Sequence, residues 1–450
     1  MDFRNPSGLR TGEPFQKRGQ VSDQQLIEVR SQILREIETR REEFVELCAE
    51  VIRHPTENPP GDTSKLAAFI SQWLKNQGLK VETIEPRPTL VSVVSAFNTH
   101  TSDKLHFMFN GHFDVFPSGD PNSWTIPPFQ GHVAEGKING RGAADMKGGL
   151  TASVVAYALL HSHKHLLPAR VSLMAVADEE TGGRWGTNWI LDKRSGWLPD
   201  ACIIGEPCSP DAVRIGEKGI SWLRVGTTGR SFHGSLGMGD NCILQLARAL
   251  ILLKDVTDLK PNIPQKLHKI IEEAKKHNLN EDTKGRESLL ETPSFNIGRI
   301  EGGLKVNVAP PDAYAEVDIR IPFGLTPDDI LVWARDKLDS AGLQGVILEL
   351  TPDRSSANYT DPEHVLAEVV YSNAVEHYGK QPTFTITTAA TDGRFFRQRG
   401  VPTIIYGPRP QGLGGVDEYI MVEDFIAVLK VHACSAIDYI RKQLDVIHQK

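Results

Sequence analysis

Apolar positions recur along the chain in two different rhythms. Over residues 22–53, Leu26, Val29, Ile33, Ile37, Phe44, Leu47 and Val51 return at helical spacing among charges, which predicts one long or broken amphipathic helix. A second helix is expected over 63–77, after the turn at Pro59-Pro60-Gly61. Strand-like runs follow at 80–84, 89–97 and 105–110, then a helix over 147–161 and two short apolar runs at 171–177 and 201–204. Strands alternating with helices predict an α/β layer whose active groups gather at the carboxyl edges of the strands.

The rhythm changes after Pro210. Strands are expected over 219–227, 294–299, 313–321 and 345–350, with helices over 240–254 and 327–341, and a polar helical insertion near 264–284. That is a compact two-layer α+β unit. After residue 355 the first pattern returns, with a helix over 364–377 and a strand over 403–406. The chain therefore reads as an α/β catalytic domain in two segments, 21–212 and 355–450, with a mixed, largely parallel sheet flanked by helices. The α+β unit, 213–354, is inserted into it, and residues 1–20, rich in Arg, Gly and Pro, form an N-terminal arm. No internal repeat is evident.

Composition narrows the class. With 450 residues, 40% of them hydrophobic and 24% charged, the chain is that of a soluble globular protein with at least one large core. A net charge of −7, with no Lys/Arg stripe interleaved with aromatics, argues against nucleic acid as a partner. The five cysteines are scattered without a Cys-x-x-Cys pair, which fits reduced thiols in the cytoplasm. The N-terminus lacks the apolar stretch of a signal peptide, and no run of about 18 apolar residues predicts a membrane span.

The candidate chemistry lies between Asp114 and Glu206. Acidic or imidazole groups follow apolar runs at Gly111-His112-Phe113-Asp114, Gly140-Arg141-Gly142-Ala143-Ala144-Asp145, Asp178-Glu179-Glu180 and Gly205-Glu206-Pro207. Each alone is an ordinary surface pair, helix start or turn; their conjunction points to a two-metal hydrolase. Two close divalent ions need a bridging carboxylate, His or Asp/Glu on each side, and an open position for water. His112 and Asp114 would share one face of a strand, suiting a ligand and the carboxylate that orients it. Asp145, at a glycine-rich junction, is the natural bridge. Glu179 and Glu180 point different ways, so one can coordinate while the other stays free as a general base. Glu206 supplies a further oxygen ligand.

These residues carry a resemblance. The chain resembles the cocatalytic zinc amidohydrolases that include acetylornithine deacetylase, succinyl-diaminopimelate desuccinylase, aminoacylase and the glutamate-releasing carboxypeptidases. The similarity runs over residues 45–440, through the stretches above, Asp145-Met146-Lys147-Gly148-Gly149, Thr181-Gly182-Gly183 and Gly229-Arg230-Ser231-Phe232-His233-Gly234-Ser235. It implies that His112 and Glu206 bind one metal, that Asp145 bridges and that Glu180 holds the second. Asp114 would orient His112, and Glu179 would take the proton from the attacking water. It also implies that the inserted unit is a lid and dimerisation domain, whose His233 reaches the partner subunit's site to stabilise an oxyanion. Asn307 and Arg320 of the lid, with Thr391 and Asp392 of the larger domain, match substrate-binding positions, and Arg320 suggests a substrate carboxylate.

One departure stands out. Family members carry a histidine just before the closing Asp/Asn-Glu-Tyr motif, which completes the second metal's shell. Here the stretch reads Pro410-Gln411-Gly412-Leu413-Gly414-Gly415-Val416-Asp417-Glu418-Tyr419, with no histidine. The expectation is a metal-dependent hydrolase of a small N-acyl amino acid or related amide, working as a homodimer with two zinc or cobalt ions. Manganese is also admissible, and the second site would be weak. A dipeptidase or carboxypeptidase of the same family is the alternative, followed by a binding protein with reduced turnover. His161-Ser162-His163-Lys164-His165 reads as a surface tract.

Overall fold

The computed structural model describes residues 21–98, 105–237, 241–277 and 287–448. The arm expected over 1–20 lies outside the described residues. The larger sheet has nine strands, in the order Val81–Arg87, Leu90–Phe97, Arg170–Val176, His106–His112, Ala201–Ile204, Thr403–Ile405, Ala212–Glu217 and Asn358–Tyr359; Thr383–Thr387 also pairs with Ala212–Glu217. Its centre is parallel: His106–His112 lies between Arg170–Val176 and Ala201–Ile204, and the latter pairs with Thr403–Ile405. Antiparallel pairs close the Val81–Arg87 edge. The sheet is thus mixed and flanked by helices, as expected, with its parallel character concentrated at the centre.

Burial explains the centre. Every residue of His106–His112 is buried, so this strand is covered on both faces and shows no apolar-polar alternation. One cover is the helix Gly148–Ser162, buried on all sides through His161. It packs between the sheet and the long helix Val422–His448, an element for which the sequence pattern yields no expectation. A helix apolar all round belongs inside a core.

The second sheet is antiparallel, in the order Asn296–Gly302, Asp312–Ile321, Gly219–Thr228 and Ile347–Ser355. Helices Cys242–Leu253 and Pro327–Ser340 pack on it, and the unit has its own core around Leu223, Val225, Leu246, Val317 and Ala334. Asp312–Ile321 alternates buried with less buried residues, the signature of a sheet covered on one face.

The helical stretch 22–53 takes the broken form of the expected helix: Asp23–Thr39 and Arg41–Ile52, parted at Arg40, with a capping box of Ser22 and Gln25 at the start. Two details differ from the sequence expectation. Strand Ala212–Glu217 pairs within the larger sheet, so the chain passes to the smaller sheet at Lys218 and not after residue 212. The polar insertion forms the helix Gln265–His277, but its apolar stripe of Leu267, Ile270, Ile271 and Ala274 joins the larger core, against Thr383–Thr387. Among the described residues no helix is long and apolar enough to cross a membrane.

Candidate functional site

Four chain segments bring acidic or imidazole groups to one end of the parallel centre. His112 closes its strand and is 1% exposed, and Asp114 just beyond is fully buried. After Arg170–Val176 the chain turns through Asp178, whose φ of 75° is left-handed and whose carboxylate accepts from Thr181 Oγ1 and the Trp185 N–H. Glu179 and Glu180 start the short turn that follows. Glu206 comes just after Ala201–Ile204, and Asp145 sits in a non-helical kink before Gly148–Ser162. A Cβ on Gly149 would stand 1.7 Å from the Gly205 carbonyl oxygen, so only glycine lets this helix start approach this strand end. That approach brings Asp145 and Glu206 to one imidazole.

His112 Nε2 lies 3.2 Å from Asp145 Oδ1 and 3.4 Å from Glu206 Oε1. Two triads share this histidine, each with its ligand atoms within 4.8 Å of one another: His112, Asp145 and Glu180, and His112, Glu179 and Glu206. All the residues expected on the metal side therefore converge. Asp145 belongs to one triad and Glu179 to the other, so Glu179 stands within ligand reach and is not set apart.

Asp114 acts through a different atom from the one expected. His112 Nδ1 is 2.8 Å from the Asp114 backbone carbonyl oxygen, whereas the carboxylate is 3.7 Å away. That carboxylate accepts the N–H groups of Glu179 at 3.2 Å and Glu180 at 3.1 Å, and the Asn58 amide at 2.9 Å. It clamps the turn that carries both glutamates. Asn58 has no signature in the sequence, because its contact with Asp114 exists only in the folded chain.

The electrostatics are those of crowded buried acids. Burial, and next to it Asp145, pushes the Glu180 carboxyl up to about 11. Burial and Glu206 hold Glu179 well above the usual carboxylate range. Burial alone would lower His112, yet Glu206 and Asp145 raise it well above an ordinary imidazole. Glu180 Oε1 is buried and has no hydrogen-bond partner among the described residues. Burying unpaired polar and like-charged groups is costly unless a cation compensates. A set of imidazole and carboxylates around an orphaned carboxylate oxygen fits divalent metal ions.

The Gln411–Glu418 stretch adds no residue to either triad. Glu418 is 1% exposed and already engaged by Arg141 Nη1 at 2.5 Å and by the N–H groups of Ala144 at 2.8 Å and Asp145 at 3.2 Å. It fixes the Asp145 backbone. Asp417 accepts from the Thr125 N–H and hydroxyl. The tract His161–His165 likewise enters no such group among the described residues.

Thr391 and Asp392 are buried. Thr391 Oγ1 donates to Glu217 at 2.6 Å, and Asp392 accepts from Thr187 Oγ1 at 2.7 Å. Burial lifts the Asp392 carboxyl to about 7. Arg394 of the same loop donates to the carbonyls of Thr391 and Gly182 and lies 3.7 Å from Glu179 Oε1. In the smaller unit His233 is exposed, bonded to Ser235, with Asn307 Nδ2 at 3.5 Å from its Nε2. Arg320 pairs with Asp318 at 3.0 Å and lines a cavity of about 280 Å³ with Lys218 and Ser294.

Comparison with known proteins gives a consistent picture. The model of peptidase family M20/M25/M40 matches residues 108–438. The succinyl-diaminopimelate desuccinylase of Paracoccus denitrificans is 30% identical over 336 residues, 72% of this chain and 81% of that protein. That of Rhodospirillum centenum is 28% identical over 334 residues, 73% and 79% respectively. Among solved structures, the M20 family metallo-carboxypeptidase Sso-CP2 from Sulfolobus solfataricus superposes with a TM-score of 0.71 at 20% identity, over 89% of this chain and 99% of that one. This last is a likeness of fold.

Proposed function

This chain belongs to peptidase family M20/M25/M40, and we propose that it is a metal-dependent hydrolase of the amide bond in a small N-acyl amino acid or related carboxylate-bearing amide. The observation that carries this is the pair of triads on His112, with the orphaned Glu180 Oε1 among them. His112, Asp145, Glu180 and Glu206 would hold two divalent ions, zinc or cobalt, with manganese admissible. Such ions, when bound, polarise a substrate carbonyl and make bound water nucleophilic.

The chain's own residues then divide the work. Glu179 takes the proton of the attacking water and returns it to the leaving amine. Asp114 keeps the Glu179–Glu180 turn in place through both backbone N–H groups. Arg320 offers a guanidinium fork to a substrate carboxylate. The relatives named as desuccinylases support removal of an acyl group.

The smaller sheet supports a homodimer. Strand Asn296–Gly302 is an edge strand exposed at every residue, and Leu244, Ile251, Ile300 and Leu304 stand exposed in the same unit. Across that dimer His233, beside Asn307, would reach the partner's cluster and stabilise the oxyanion. The five cysteines are buried and free, in keeping with a reducing cytoplasm.

The test is a panel of N-acyl amino acids and dipeptides offered to chelator-stripped protein with zinc, cobalt or manganese restored. Hydrolysis of acyl amino acids that depends on added metal is the expected result. Preference for dipeptides would move the assignment to a peptidase, and no hydrolysis with any metal would refute the proposal.

A further inference from the structure

A cleft of about 400 Å³ opens where the two sheets meet. Arg184, Asn188, Arg394 and Arg399 line it from the larger sheet's side, and Trp222 and Arg354 from the smaller sheet. Four guanidiniums face this space, and no Asp or Glu is among the described residues that line it. Two have carboxylate partners elsewhere: Arg394 lies beside Glu179, and Arg399 pairs with Asp192. Arg184 stacks on Trp185, and neither it nor Arg354 has an ion-pair partner among the described residues. Unpaired guanidiniums from two elements, with the Asn188 amide in the same lining, form a donor set for an oxyanion.

We infer that this cleft binds an oxyanion, a carboxylate or an inorganic anion of the same donor demand, held between Arg184 and Arg354. The site differs from the Arg320 cavity, which is lined by Lys218, Ser294 and Thr388. The cleft adjoins the acidic cluster through Arg394, which lines it while donating to the Gly182 carbonyl and flanking Glu179. Because Arg184 follows the Glu179–Glu180 turn and Arg354 belongs to the smaller sheet, the bound anion ties the two sheets together beside the site. Two sources share this chemistry: a terminal carboxylate on the acyl part of the substrate, and a free anion from solution.

The decisive experiment titrates sulfate and succinate into the metal-loaded protein by calorimetry, at constant ionic strength set with chloride. Saturable binding is expected. It should weaken by about tenfold or more in Arg184→Ala/Arg354→Ala and stay unchanged in Arg299→Ala, which removes an exposed arginine from the other edge of the smaller sheet. Absence of saturable binding, or equal binding by wild type and the double variant, overturns the inference. Should the double variant fail to fold, Arg354→Gln alone carries the same reading.

Kinetics then assign the source, and that arm alone rests on the amide-hydrolase reading. Two amides are compared that differ only in a terminal acyl carboxylate. If the cleft takes the substrate, the double variant raises KM for the acidic amide alone. If it takes a free anion, sulfate alters the rates on both amides in the wild type and on neither in the variant. Calorimetry judges the cleft even where no amide is hydrolysed, so the two proposals fail separately.

Discussion

At the end of the larger sheet, buried carboxylates crowd around His112, and one of their oxygens finds no hydrogen-bond partner among the described residues. At the rim of the smaller sheet the reverse holds: Ile300 and Leu304 point outward, and a whole edge strand offers its backbone to solvent. The first region buries polar groups it does not satisfy, and the second exposes apolar groups it does not cover. Each defect suits a proposed complement, a divalent cation inside and a second copy outside. Structure that is incomplete by ordinary rules of burial is where function concentrates.

The inner region breaks first at its base. Glu179→Gln keeps the charge clamp of Asp114, which acts through the Glu179 backbone, and retains a side chain of the same shape. Activity should fall by on the order of 10²-fold or more while bound metal is kept. Metal content and kcat of the same sample decide this, and retained turnover would remove Glu179 from the mechanism.

Next comes the ion pair under Asp145. Arg141 and Glu418 are 2% and 1% exposed, and Glu418 also caps the Asp145 N–H. Arg141→Ala leaves Glu418 buried without its cation, so the loss should be about 3–5 kcal/mol of folding stability. Chemical denaturation measures it. A change below about 1 kcal/mol would show that the pair is not needed to hold the kink.

In the outer region the expected effect is smaller. His233→Ala should reduce kcat by about 10²-fold with metal intact, the cost of one oxyanion donor. If His233 serves the partner, heterodimers of His233→Ala and Glu179→Gln subunits should regain activity, because one hybrid site has both residues. No rescue in confirmed heterodimers would confine His233 to its own subunit.

What the sequence made legible follows the same division. The cluster is legible because His112, the Glu179–Glu180 turn and Glu206 close or follow apolar strands, and Asp145 follows the glycine-rich Gly140–Gly142 turn, signals local to the chain. Asn58, Arg394 and Glu418 were harder, since their roles lie in contacts across long sequence separations: Asn58 to Asp114, Arg394 to Gly182, Glu418 to Asp145. The insertion near 264–284 reads from the sequence as polar, yet Leu267, Ile270, Ile271 and Ala274 give its helix a buried face. That its core would be the larger one depends on the course of the whole chain. Strand Thr383–Thr387 alternates threonine with Phe384 and Ile386, a strand rhythm, but over only five residues it is too short to stand out from the sequence.

The buried acids around His112 are proposed to hold divalent ions. Titrating zinc, then manganese, into chelator-stripped protein while following bound metal and activity tests this directly. Two unequal sites per chain are expected: one ion that survives dialysis, and a second that is lost easily or is replaced best by manganese, because no histidine from the Gln411–Glu418 stretch completes its shell. Activity should rise with occupancy, and Asp145→Ala should bind neither ion tightly. Two equally tight zinc ions would contradict the unequal shells, and a stripped protein that binds no divalent ion would refute a metal site at His112.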